Sequence, residues 1–403
     1  MYKKIKKCRL CESKSLKIIL KLNATPVANN LSLIKNSRPI KLPLNTLICK
    51  NCGHIQLSIV VRPSTLYKSY NYITGISKTF ISHFKSYANF IEKKLIKNSH
   101  FTIIDIGSND GLFLKSFSEK VTKIGVEPAS NFSSFYKNTK INTYSDFFSN
   151  KIVTDIKKKY NKVDVVTANN VFAHIDNLKK IVMNVNEVLK PDGYFIFEVS
   201  YFLEMIKSNS FDNIYHEHLS YHTLLPLVKF FENTNFSIVD VINIKTHGGS
   251  IRVICKKNNI STISLSTIKL IRQEKLFYAS INNQINNLKK NVSLISNKIK
   301  NILKSSNFIA YGSPAKCMTF IYNTNLPYRN LQFIVDDNEF KQGKYIPGYN
   351  IKIVSSDFLE DITTKYILIF SWNVYKDIII KNKKIFKNKI LIIPLPKLRI
   401  IKC

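Results

Sequence analysis

Ile103-Ile104-Asp105-Ile106-Gly107-Ser108-Asn109-Asp110-Gly111 sets the architecture of this chain. An apolar strand, 101–106, ends in Asp-x-Gly-x-x-x-Gly and runs into the helix-forming Leu112-Phe113-Leu114. Glycines let the backbone approach a ligand, and the start of a helix offers unpaired N–H groups. A dinucleotide site would read G-x-G-x-x-G over a pyrophosphate. Here Asp105 precedes a single early glycine, and Asn109-Asp110 fill the gap. S-adenosylmethionine has no phosphate to cradle but needs acceptors for its amino group and ribose. Asp105, Gly107, Asn109 and Gly111 are therefore expected to form its loop. The next strand ends in Gly125-Val126-Glu127-Pro128, where Glu127, beside Pro128, suits the ribose hydroxyls. Asp146 and Phe147, in Tyr144-Ser145-Asp146-Phe147, fit an adenine-contacting loop. Asn169, in Asn169-Asn170-Val171, fits the methionine end.

Outward from this loop, strands are expected at 101–106, 122–126, 139–143, 163–168 and 193–199, alternating with helices near 80–97, 111–118, 150–159 and 176–190. That alternation predicts a doubly wound α/β domain with a parallel sheet, a Rossmann-like class I methyltransferase fold. Residues 264–304 carry Leu and Ile at helical spacing and read as one long helix. A second Rossmann-like α/β unit follows, with strands at 307–311, 332–335, 366–370 and 389–393. At the other end, Cys8-Arg9-Leu10-Cys11 and Cys49-Lys50-Asn51-Cys52-Gly53 bracket a turn-rich module. Two CxxC pairs in a chain without secretory features point to a closed, structural zinc site on Cys8, Cys11, Cys49 and Cys52. A metal offsets the small core of such a module. The expected domains are 1–65, 66–257 and 258–403.

A length of 403 residues exceeds what one core supports, and 45% hydrophobic residues fit a folded chain. The formal charge of +35 is mostly lysine spread along the sequence; arginine occurs only at positions 9, 38, 62, 252, 272, 329 and 399. Without arginine clusters or stacking aromatics on a basic face, no nucleic-acid partner is expected. No run reaches the ~18–20 apolar residues of a membrane span. The basic start runs into Cys8 without an apolar stretch, so no signal peptide is expected and the cytoplasm is the expected compartment. Cys255, Cys317 and Cys403 read as isolated reduced thiols.

Two clusters remain, Ala173-His174-Ile175 and Tyr215-His216-Glu217-His218-Leu219-Ser220-Tyr221-His222, both past the carboxyl ends of expected strands, where ligands bind in such sheets. With Thr167-Ala168-Asn169-Asn170-Val171-Phe172-Ala173-His174-Ile175, Thr246-His247-Gly248-Gly249-Ser250-Ile251-Arg252-Val253, Tyr311-Gly312-Ser313-Pro314-Ala315-Lys316 and Asp336-Asp337-Asn338-Glu339-Phe340-Lys341-Gln342-Gly343-Lys344-Tyr345-Ile346-Pro347-Gly348, they give the whole chain a resemblance to a known family. It resembles the three-domain, zinc-containing sugar C-methyltransferases acting on nucleotide-linked 4-keto deoxysugars. The resemblance implies His218 as the base that removes the acidic C3 proton. Tyr215, Glu217, His174 and an N-terminal tyrosine, Tyr72 with Tyr70 close by, would surround the sugar. Tyr or His donors would hold the enolate oxygen, and Glu217 could instead orient His218. His247 is counted with the substrate residues, and Lys316, Lys341 and Lys344 are placed near the diphosphate, on a C-terminal domain without its own cofactor. An O- or N-methyltransferase on another nucleotide-sugar or small ketone is the alternative reading.

Overall fold

The computed structural model describes residues 2–63, 66, 73–76, 78–96, 98, 100–257, 263–360 and 362–403. Tyr70 and Tyr72 lie outside the described residues. Near the N-terminus, β1 (Tyr2–Lys4) pairs with β5 (Ile59–Val61), while β2 (Leu16–Thr25), β3 (Leu42–Cys49) and β4 (Ile55–Leu57) form an antiparallel meander. The apolar run 54–61 divides at Ser58, whose N–H bonds Asn45 while its carbonyl accepts from Ile5, so the two halves serve different sheets.

The central sheet contains β6 (Thr102–Ile106), β7 (Thr122–Val126), β8 (Ile141–Tyr144), β9 (Val163–Asn169) and β10 (Leu189–Ser200). The two-residue β11 (Ser220–Tyr221) leaves this sheet to pair with β4, opposite Gln56 and Ile55. The chain then returns through β12 (Phe236–Ile244) and β13 (Ser250–Lys257). Strand order is β12-β13-β10-β9-β6-β7-β8, parallel except that β13 runs antiparallel between β10 and β12. Ile103, Ile104, Val165 and Val166 are all fully buried, as strands covered on both faces require. Order reverses between β6 and β9, and ligands bind at the carboxyl side of such a switch point.

The expected single helix over 264–304 is two, Leu265–Ala279 and Ile281–Leu303, broken at Ser280. The Ser280 hydroxyl bonds back to the Leu276 carbonyl at 3.2 Å, local competition that favours a break. The C-terminal sheet comprises β14 (Phe308–Tyr311), β15 (Leu331–Val335), β16 (Lys352–Val354), β17 (Tyr366–Ile369), β18 (Ile390–Ile393) and β19 (Arg399–Lys402). Its order is β16-β15-β14-β17-β18-β19, parallel except for β19, with its own switch point between β14 and β17. The C-terminal unit grips the central one around residues 212–214: Trp372 Nε1 donates to Asp212 at 2.7 Å, and the Thr319 hydroxyl donates to the Ile214 carbonyl at 2.6 Å. Among the described residues no helix is long and apolar enough to cross a membrane.

Candidate functional site

The two switch points open onto one cavity of about 610 Å³, lined from the central unit by the β6, β7 and β9 ends and from the C-terminal unit by the β14, β15 and β17 ends. The segment 213–218 forms the wall between them.

At the first switch point, Gly107 has φ +69° and a Cβ there would meet Val171 Cγ2 at 2.4 Å, so only glycine fits. Asp105 sits behind it, accepting from the Thr167 hydroxyl at 2.7 Å and from Asn169 Nδ2 at 3.1 Å. Burial pushes its carboxyl up to about 7, against those two bonds. The other amide atom of Asn169, Oδ1, is buried without a partner among the described residues. Glu127 accepts from the Asn109 and Ala129 amides, each at 2.9 Å, and lines the cavity with Pro128. Two carboxylates and an orphaned amide oxygen, with no Lys or Arg in the loop 105–111, fit a ligand carrying an ammonium and ribose hydroxyls. S-adenosylmethionine is such a ligand. Gly111 lies under the loop, its φ of +73° placing the helix start against Tyr136. Phe147 lines the cavity; Asp146 is exposed off it and accepts its neighbour's N–H at 2.7 Å.

Toward the second switch point stand His174, Tyr215, Glu217 and His218. His218 Nδ1 donates to the Asn213 carbonyl at 2.8 Å, which fixes the tautomer and leaves the Nε2 lone pair toward the Tyr215 hydroxyl, 2.9 Å away. Burial lowers the imidazole to about 4, against the Asn213 bond, so the ring is neutral near pH 7. The His174 ring meets it edge-on, centroids 5.0 Å apart. Glu217 does not orient His218. Its Oε1 accepts from Asn29 Nδ2 at 2.8 Å, and burial raises its carboxyl to about 7. Asn29 and Asn213 were not legible beforehand, because both contacts depend on the chain path and neither position carries a motif.

Lys316 and Lys341 line the far side of the cavity, and Lys344 does not. Lys316 lies 3.7 Å over the Trp372 ring and donates to Asn373 at 2.8 Å; burial lowers it to about 8, opposed by Asp212. Lys341 pairs with Asp336 at 3.3 Å. The turn holding His247 sits beside Trp372, whose ring leaves room only for glycine at 248.

Away from the cavity, the sulfurs of Cys8, Cys11, Cys49 and Cys52 all lie within 4.8 Å of one another. The Cys8–Cys52 and Cys11–Cys49 separations are 3.6 Å. Four thiolates at ~2.3 Å from a tetrahedral zinc are about 3.8 Å apart, so the set fits the ion.

This arrangement defines a methyltransferase with a structural metal module, and comparison with known proteins agrees. Residues 8–67 match a family described as "Putative zinc binding domain", 80–241 a "Methyltransferase domain", and 245–396 a "C-methyltransferase C-terminal domain". The C-methyltransferase NovU of Streptomyces niveus is 26% identical over 407 aligned positions, covering 98% of this chain and 97% of that protein. Among solved structures, an S-adenosylmethionine-dependent methyltransferase from Clostridium acetobutylicum overlaps 44% of this chain and 92% of its own, at 16% identity and TM-score 0.35. The Burkholderia thailandensis 1,6-didemethyltoxoflavin-N1-methyltransferase overlaps 44% and 78%, at 13% identity and TM-score 0.33. The chain belongs to the three-domain, zinc-containing C-methyltransferase family: an S-adenosylmethionine-dependent C-methyltransferase with a structural zinc site.

Proposed function

We propose that the protein methylates C3 of a nucleotide-linked 4-keto-6-deoxy sugar, in the cytoplasm, through an enolate formed by His218. The observation that carries this reading is the single cavity, with a neutral, tautomerically fixed histidine between an acidic cofactor end and a lysine-lined far end. Bound S-adenosylmethionine supplies an electrophilic methyl group. Asp105, Asn169 and Glu127 would hold its ammonium and ribose, with Gly107 and Asn109 shaping the loop.

The chain's own task is to make C3 nucleophilic. In the step proposed, the C3–H bond breaks, the proton goes to His218 Nε2, and the electron pair enters the C3–C4 bond with charge on O4. The resting hydroxyl of Tyr215 donates to Nε2; when substrate takes that place, Tyr215 and His174 would donate to O4 instead. Proton transfer of this kind is worth roughly 10²–10⁴-fold. At the other end, Lys316 and Lys341 suit a diphosphate, with the first turn of the helix Ala315–Asn323 beside them.

The test is incubation with S-adenosylmethionine and thymidine-, cytidine- or guanosine-diphospho-4-keto-6-deoxy sugars in deuterated buffer, reading product mass and C3 exchange. Carbon methylation with exchange that His218→Ala abolishes supports the reading. Methyl gain on oxygen or nitrogen, or neither signal on any ketosugar, overturns it.

A further inference from the structure

We propose that Arg9, between two of the zinc-site cysteines, is a positioning residue that clamps the loops carrying His174 and His218; the catalytic meaning of those loops rests on the function proposed above. The side chain of Arg9 is 2% exposed although the residue sits in a surface knuckle. Its Nε reaches Asp176 Oδ1 at 3.3 Å, and its Nη1 donates to the Leu57 carbonyl at 3.2 Å. The backbone N–H donates to Gln56 Oε1 at 2.8 Å.

These contacts close a ring. Asp176 lies two residues after His174 and lines the cavity. The Leu57 N–H donates to the carbonyl of Leu219, the residue after His218, at 2.9 Å. The Leu219 N–H donates to the carbonyl of Ala173, the residue before His174, also at 2.9 Å. One guanidinium thus ties both histidine loops to the knuckle from the side away from substrate.

Folding alone does not ask for arginine here. A buried guanidinium is costly unless fully bonded, and Nη2 has no partner among the described residues. Nor is Arg9 needed to neutralise Asp176, because the exposed Lys3 already pairs with that carboxylate at 2.7 Å. What Arg9 adds is a rigid fork with two fixed directions, which lysine cannot reproduce.

The experiment uses zinc-loaded, ¹³C-histidine-labelled full-length protein in four forms: wild type, Arg9→Met, Arg9→Lys and Lys3→Met. Zinc content, S-adenosylmethionine affinity, the histidine ring resonances and turnover are read on each. In Arg9→Met, zinc and cofactor affinity should stay at wild-type levels while the His174 and His218 signals move and that of exposed His100 does not. Turnover should fall about 10²-fold in kcat with little change in KM, the scale of a 1 Å misplacement. Arg9→Lys should restore less than a tenth of it, and Lys3→Met should behave as wild type. Unmoved histidine signals in a zinc-loaded Arg9→Met protein overturn the clamp, as does joint loss of zinc and cofactor binding in both Arg9 variants. If the wild type turns over no ketosugar, the proposed function fails, yet the ring signals still decide the clamp.

Discussion

Replacing Glu217 with glutamine should make the protein more stable at pH 8 and should also decide which group takes the substrate proton. Glu217 is 2% exposed and, among the described residues, has one hydrogen-bond partner, Asn29, which glutamine Oε1 can still satisfy. Its carboxyl rises from 4.5 to about 7 on burial. The folded state therefore holds the proton more tightly than the unfolded chain. Folding stability from this group is fully present below pH ~4.5 and is lost as pH climbs through 7. At pH 8 the ionised carboxylate costs roughly 3 kcal/mol, on 1.36 kcal/mol per tenfold change in proton affinity. Glu217→Gln should show no gain by calorimetry at pH 4.5 and a rising gain to pH 8. Activity reports on the same group. With neutral His218 as base, kcat/KM stays flat from pH 5.5 to 8, since that ring loses its proton near pH 4. A tenfold rise per pH unit up to about 7, abolished by Glu217→Gln, would refute the assignment of His218 and hand the base role to Glu217. No stability gain at pH 8 in a folded variant would refute the burial argument.

Gly107→Ala forces a Cβ to within 2.4 Å of Val171 at φ +69°, so cofactor affinity measured by calorimetry should drop at least tenfold; an unchanged affinity counts against the loop. Arg252→Met strands the buried Glu198 carboxylate, now bonded by Arg252 at 2.6 Å and His83 at 2.8 Å, and should cost about 3–5 kcal/mol in unfolding, largely recovered by adding Glu198→Gln. Burial pushes Glu198 up, but His83 and Arg252 pull it below the ordinary value, so its share of stability is lost as pH falls, the reverse of Glu217. Zinc removal by chelator should raise hydrogen exchange in β3 and β4 and also in β11, which pairs with β4; protection of β11 unchanged by zinc loss would separate the two modules.

The central loop was legible because its demands are local. A strand, a glycine at φ +69° and a helix start occupy eleven consecutive residues, 102–112. The parallel strands were legible for a similar reason, since double-sided burial writes itself as apolar runs. What escaped depends on chain path. The insertion of β13 antiparallel beside β10 follows from where the β12–β13 hairpin docks. Asn29 meets Glu217 across 188 positions of sequence. The motif 215–222 reads as one cluster, yet its parts diverge: Glu217 and His218 line the cavity, while Ser220 and Tyr221 become a strand of the zinc module. Lysine is so common here that sequence could not separate Lys344, which lies off the cavity, from Lys316 and Lys341.

The two switch points are built alike and differ in charge. Gly107 N–H donates to Val126 at the end of β7, at 2.7 Å, and Gly312 N–H to Val335 at the end of β15, at 2.6 Å. A Cβ on either glycine would strike the second residue past the strand on the other side, Val171 or Ser371. Their carboxylates are disposed differently. Among the described residues, Asp105 and Glu127 are bonded only by neutral donors, and both line the cavity. Asp336 accepts from the Ser313 amide and hydroxyl, at 2.6 and 3.0 Å, and from Lys341, while Asp337 takes the Tyr311 hydroxyl and Lys381. Neither Asp336 nor Asp337 is therefore left over for a ribose, and the buried Lys316 lines the cavity beside a helix start. One end of the cavity suits a cationic ligand and the other an anionic one. On the proposed reading that polarity alone orders the two ligands, sulfonium end to Asp105 and diphosphate to Lys316, with the sugar ketone left at His218 between them.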